Sequence, residues 1–102
     1  MKFIYYLFFT ISLSGQSSYD SIVIVKKVDS LMKYNLDLIK MQKFNEAKKV
    51  IQNATDLVEK SFGKKNARYV SCLLNYGWTL QSSNLFSEAE KYYIEAKIIS
   101  ES

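Results

Sequence analysis

Proline and histidine are absent from this 102-residue chain, and cysteine, arginine and tryptophan each occur once. Without histidine, imidazole-based hydrolytic triads and imidazole metal sites are excluded. The lone Cys72 excludes an intramolecular disulfide and any cysteine-based metal cluster. No metal site or cofactor is expected. Carboxylates such as Glu88 and Glu90 alternate with lysines on an exposed face rather than facing each other across a cleft, so nothing points to catalysis. With a single arginine and no recognition module, nucleic acid is not an expected partner, despite a net charge of +4. A long hydrophobic run is missing too: Phe3 to Leu13 is apolar but too short to span a bilayer comfortably.

What is present is 48% hydrophobic residues, enough for one small core and no second domain. The positive charge is concentrated in the middle, at Lys26, Lys27, Lys33, Lys40, Lys43, Lys48, Lys49, Lys64 and Lys65. The last segment leans acidic through Glu88, Glu90, Glu95 and Glu101. Lysine and glutamate suit solvated helix faces. An acidic partner and charge-assisted end-to-end stacking are the alternatives.

Leu73 to Ile99 reads as two short amphipathic helices joined by the turn Ser82-Ser83-Asn84. Ala89, Tyr92, Tyr93, Ala96 and Ile99 recur at helical spacing and form one apolar stripe. The facing helix carries Leu73, Leu74, Tyr76, Gly77 and Leu80. A mid-helix glycine costs about 1 kcal/mol relative to alanine, so Gly77 implies that another backbone approaches closely there. A shift of about 42 residues superposes this stretch on an upstream copy without a gap. Val70, Leu73, Tyr76, Leu80, Phe86, Glu88, Ala89, Lys91, Ala96 and Glu101 fall on Val28, Leu31, Tyr34, Leu38, Phe44, Glu46, Ala47, Lys49, Ala54 and Glu59. These are about ten identities over roughly thirty-five positions, most of them apolar or small.

The pattern resembles the tetratricopeptide repeat (TPR), of the longer kinesin-light-chain type. Leu73, Tyr76, Gly77, Leu80, Phe86, Ala89, Tyr93 and Ala96 stand at its signature positions. Upstream these are Leu31, Tyr34, Asn35, Leu38, Phe44, Ala47, Ile51 and Ala54, where Asn35 departs from the usual small residue and marks the looser repeat. The Gly-x-x-His-Pro connector of that subtype is represented by Gly63-Lys64-Lys65-Asn66-Ala67, without the His-Pro pair. The resemblance implies an all-α chain of two stacked helix-turn-helix repeats, about 26–62 and 67–102, in a right-handed α-solenoid fragment.

The expected organisation is a signal peptide over 1–15, a polar linker over 16–19 and the repeat domain over 20–102. Lys2 precedes the apolar run, and Ser12 to Gly15 supply small residues for cleavage. Asp20 or Ser21 is expected to cap a helix running to about Met41, with Ile22, Val25, Val28, Leu31, Met32 and Leu38 inward. Ile22-Val23-Ile24-Val25 is strand-prone by propensity but has no partner strand, and is read as helix. Further helices are expected at about Asn45 to Phe62, ended by Gly63, about Ala67 to Ser82, and about Ser87 to Ser100, with Ser87 and Glu90 forming a capping box.

The implied function is a non-enzymatic protein- or peptide-binding scaffold, secreted or periplasmic, with a membrane association only if the signal stays uncleaved. The groove lined by the first helix of each pair is assigned to Lys33, Leu36 and Lys40 in repeat one and to Leu74, Asn75, Trp78 and Gln81 in repeat two. In peptide-binding relatives the residue at the place of Asn75 contacts the ligand backbone, because an amide donates and accepts at once. The last repeat lacks a polar outer face, so its end is expected to be covered by self-association, by a partner, or by further repeats absent from a truncated product. Alternatives are therefore a piece of a larger TPR-containing envelope protein and a membrane-anchored, self-assembling structural protein.

Overall fold

The structure, a computed structural model, describes the backbone of residues 2–102 and the side chains of residues 20–102. The expected signal peptide and linker lie outside the residues whose side chains are described. Four helices follow one another: α1 (Lys2–Lys40), α2 (Phe44–Phe62), α3 (Ala67–Ser82) and α4 (Phe86–Glu101). Among the described residues there is no strand, and no helix is long and apolar enough to cross a membrane.

The β-branched run Ile22 to Val25 is helical. Asp20 and Ser21 sit inside α1 and do not cap it, because the backbone remains helical through both. Ile22, expected inward, is 57% exposed.

Pairing of α1 with α2, and of α3 with α4, depends on two turns of one design. Gln42 (φ 60) and Asn84 (φ 66) adopt the left-handed conformation. The Gln42 and Lys43 amides donate to the Ile39 and Leu38 carbonyls at 2.9 Å each. The Asn84 and Leu85 amides repeat this on Gln81 and Leu80 at 3.0 and 2.8 Å. This is a Schellman closure, which satisfies two carbonyls that a helix end would otherwise leave unpaired. The closure sets where the next helix begins. The N-caps of α2 and α4 are Lys43 and Leu85, neither with a side-chain capping bond. The expected capping box at Ser87 does not form, because Ser87 already lies within the first turn of α4.

A left-handed glutamine is strained by about 1 kcal/mol or more, whereas asparagine tolerates that region better. Gln42→Gly should therefore raise the melting temperature by about 4–8 °C for each kcal/mol recovered, and Asn84→Gly by less. A thermal melt of both variants checks this; equal changes would contradict the strain argument.

The α2–α3 connection is closed differently. Gly63 has φ 81 and ψ −175, a region essentially reserved for glycine, and its amide donates to the Glu59 carbonyl at 2.9 Å. Asn66 then caps α3: its Oδ1 accepts from the Tyr69 amide at 2.9 Å, and its Nδ2 donates to the Gly63 carbonyl at 2.6 Å.

The core lies between the helix pairs. Val28, Ile51, Ala54, Val58, Tyr69, Cys72, Leu73, Tyr76, Leu80, Ala89 and Ala96 form one buried cluster. Ala47 and Ala54 are fully buried, and Ala89 and Ala96 are 2% exposed. Small side chains at these positions let neighbouring helices lie close without voids. The rings of Tyr76 and Tyr92 stack with centroids 4.1 Å apart and 8° between planes, joining α3 to α4.

Gly77 is needed for a reason other than the expected backbone contact. A Cβ there would lie 2.7 Å from Cε1 of Tyr93, so an aromatic ring of α4 occupies the space that the missing side chain leaves. The Tyr93 hydroxyl then donates to Gln81 Oε1 at 2.9 Å.

Candidate functional site

At the position of repeat one that matches Gly77 stands Asn35, and it is completely buried. Its Nδ2 donates to the Ala47 carbonyl on α2 and to Thr79 Oγ1 on α3, both at 2.9 Å. The Thr79 hydroxyl in turn donates to the Asn75 carbonyl at 2.8 Å. One amide therefore joins three helices. Arg68 on α3 also approaches Asp29 on α1 at 3.7 Å; both are exposed, so this pair contributes little to stability. The buried Asn35–Thr79 bond is the contact that ties α1 to α3.

Lys33, Leu36 and Lys40 occupy one exposed face of α1 at helical spacing, with Leu36 39% exposed. On α3, Leu74 and Trp78 are 45% and 48% exposed. Asn75 is half-buried, and its carbonyl serves the Thr79 bond. These six side chains lie on the two helices that the Asn35–Thr79 bond draws together. Gln81 is exposed as well, and its Oε1 accepts from the Tyr93 hydroxyl of α4. Val70, Leu74 and Trp78, four residues apart, form an apolar ridge along α3. The ridge borders the α1–α3 face on one side and the free face of the second helix pair on the other.

Lys33 and Lys40 of α1 are exposed, as are the apolar Leu36, Leu74 and Trp78, and tryptophan is a residue type enriched among interface anchors. Among the described residues no group of three His, Cys, Asp or Glu side chains could hold a metal ion. The one thiol, Cys72, is fully buried, and burial pushes its pKa up to about 11. A thiol reagent at pH 8 should therefore label the folded chain far more slowly than the urea-unfolded chain. Equal labelling rates would show that α3 is not seated as described.

Sequence reasoning missed the Asn35–Thr79 bridge. The available signal was a polar residue on the apolar stripe of α1, a position where buried amides find partners.

The family model for the tetratricopeptide repeat matches residues 36–98. The chain belongs to the TPR family. No curated protein and no solved structure matches it. TPR helix pairs generally serve as protein-interaction scaffolds, and the duplicated turns at Gln42 and Asn84 are the structural mark of the repeat in this chain. The match begins within α1 and covers both turns and all of α2 and α3.

Proposed function

We propose that this chain is a non-enzymatic TPR adaptor whose α1–α3 face holds an extended protein segment outside the cytoplasm. The observation that carries the reading is Trp78, 48% exposed on α3, with Lys33 and Lys40 exposed on the neighbouring α1. A fitting segment has a bulky apolar residue for the Leu36, Leu74 and Trp78 patch and acidic residues for the two ammonium groups. The Asp29 carboxylate is engaged by Arg68, which leaves Lys33 and Lys40 as the charges that decide this preference. Secretion or periplasmic export is supported by the apolar run Phe3 to Leu13 after Lys2. A mature N-terminus near Ser14 to Gln16 in the mass spectrum is the expected result, and an intact Met1 would count against export.

Selection of random displayed peptides on the full chain tests the groove. Enriched sequences should be acidic with one large apolar residue and should shift the emission of Trp78, the sole tryptophan. Replacing Lys33 and Lys40 together by Glu should weaken the enriched peptides by about tenfold or more. Peptides that bind this variant and Trp78→Ala as well as the wild type would remove the groove from consideration.

A further inference from the structure

The junction between the two repeats shows what a TPR face looks like when occupied. On the receiving side Val28, Ile51 and Val58 are completely buried and Thr55 is 6% exposed. On the inserting side are Tyr69, Cys72, Tyr76 and Thr79 of α3, all buried.

The repeat relation carries each side to a second place in the same molecule. The receiving residues Val28, Ile51, Thr55 and Val58 correspond to Val70, Tyr93, Lys97 and Ser100. There Val70 and Tyr93 are only half-buried, and Lys97 and Ser100 are exposed. Beside them is an open cavity of about 640 Å³, lined among others by Val70, Ser71, Ile99 and Ser100. The inserting residues Tyr69, Cys72, Tyr76 and Thr79 correspond to Lys27, Ser30, Tyr34 and Asp37 of α1, all four exposed. Tyr34 is 51% exposed, although its counterpart Tyr76 is 7% exposed. The chain thus displays both halves of its own internal junction.

We propose that the Val70–Tyr93–Ser100 face receives α1 of a second copy of this chain, through Lys27, Ser30 and Tyr34, so that copies stack head to tail. Charge supports a copy as the occupant. Inside the chain, Tyr69 lies near the Glu59 carboxylate of α2. Carried to the new junction, that pair becomes Lys27 of one copy beside Glu101 of the other, which are opposite charges. The polar Lys97 and Ser100, in the places of Thr55 and Val58, make this junction weaker than the internal one. The contact joins two different surfaces, so it adds further copies instead of closing on itself. It is separate from the peptide groove and does not depend on it.

Sedimentation velocity on the full chain, from about 5 to about 500 µM, should show a mass that grows with concentration. Tyr34→Glu on one face and Ser100→Arg on the other, both at exposed positions and checked for native helicity by circular dichroism, should each remain monomeric. Mixed together they should form a dimer and nothing larger, because one working face of each kind remains. Lys27→Glu should weaken assembly by about tenfold, and Lys27→Glu with Glu101→Lys should restore it. A wild type that stays monomeric throughout overturns the proposal. So does assembly that persists unchanged in either single-face variant, since it would then use another surface.

Discussion

Replacing Asn35 by aspartate should cost about 3–5 kcal/mol at neutral pH, the scale of an unpaired buried charge. The amide donates to two acceptors, the Ala47 carbonyl and Thr79 Oγ1, while the Thr79 proton is directed to Asn75. A carboxylate in that place faces oxygen lone pairs and has no donor, in a site without solvent. Against a total stability of about 5–15 kcal/mol for a small domain, this is a large fraction. Asn35→Ala, which removes the bonds without adding charge, should cost less, about 1–3 kcal/mol. The aspartate penalty also has a pH signature. Burial raises the folded-state pKa of such a carboxyl, so the penalty is small below about pH 4 and grows as pH rises. Urea unfolding at acidic and neutral pH measures both; a variant as stable as the wild type at pH 7 would mean that residue 35 is not enclosed. The wild-type Asn35 Oδ1 is itself buried without a hydrogen-bond partner, so the site already contains one uncompensated acceptor.

The second large effect is an asymmetry between equivalent tyrosines. Tyr76→Ala should lose about 3–5 kcal/mol, the cost of removing a large buried aromatic. The side chain is 7% exposed and stacks on Tyr92 at 4.1 Å, and such a pair contributes about 0.5–1.5 kcal/mol beyond its buried area. Tyr34→Ala, at the same place in repeat one, should change stability by only about 0.5 kcal/mol, because that ring is 51% exposed. Chemical denaturation of both variants at a concentration where the chain is monomeric makes the comparison. Similar losses would mean that Tyr34 is covered within a single chain, which would also remove it from the head-to-tail contact.

The buried phenols of repeat two also give stability an alkaline limit. Burial raises the phenol of Tyr69 to about 12, with the Glu95 and Glu59 carboxylates adding to it, and burial also holds the Tyr76 phenol above its ordinary value. The neutral forms are favoured in the fold, so these groups support stability below about pH 10 and that support is lost as pH rises further.

Spacing and composition by themselves determined the helical class, the repeat phase and the inward direction of the four repeat alanines. Helical periodicity is a property of neighbouring residues, and Ala47, Ala54, Ala89 and Ala96 lie buried as that periodicity requires. They also determined that the site has no metal-binding imidazole and no catalytic histidine, because those residues are not in the chain. Only the tertiary structure decided that Tyr34 is exposed while Tyr76 is buried, that Tyr93 fills the space above Gly77, and that Asn35 bridges to Thr79 across 44 residues of sequence. It likewise decided that Gln81 accepts from Tyr93 and that Leu36 and Trp78 are exposed. The physical reason is common to all of these. Burial and hydrogen-bond satisfaction belong to a residue together with whatever packs against it, and the two copies of one repeat have different neighbours.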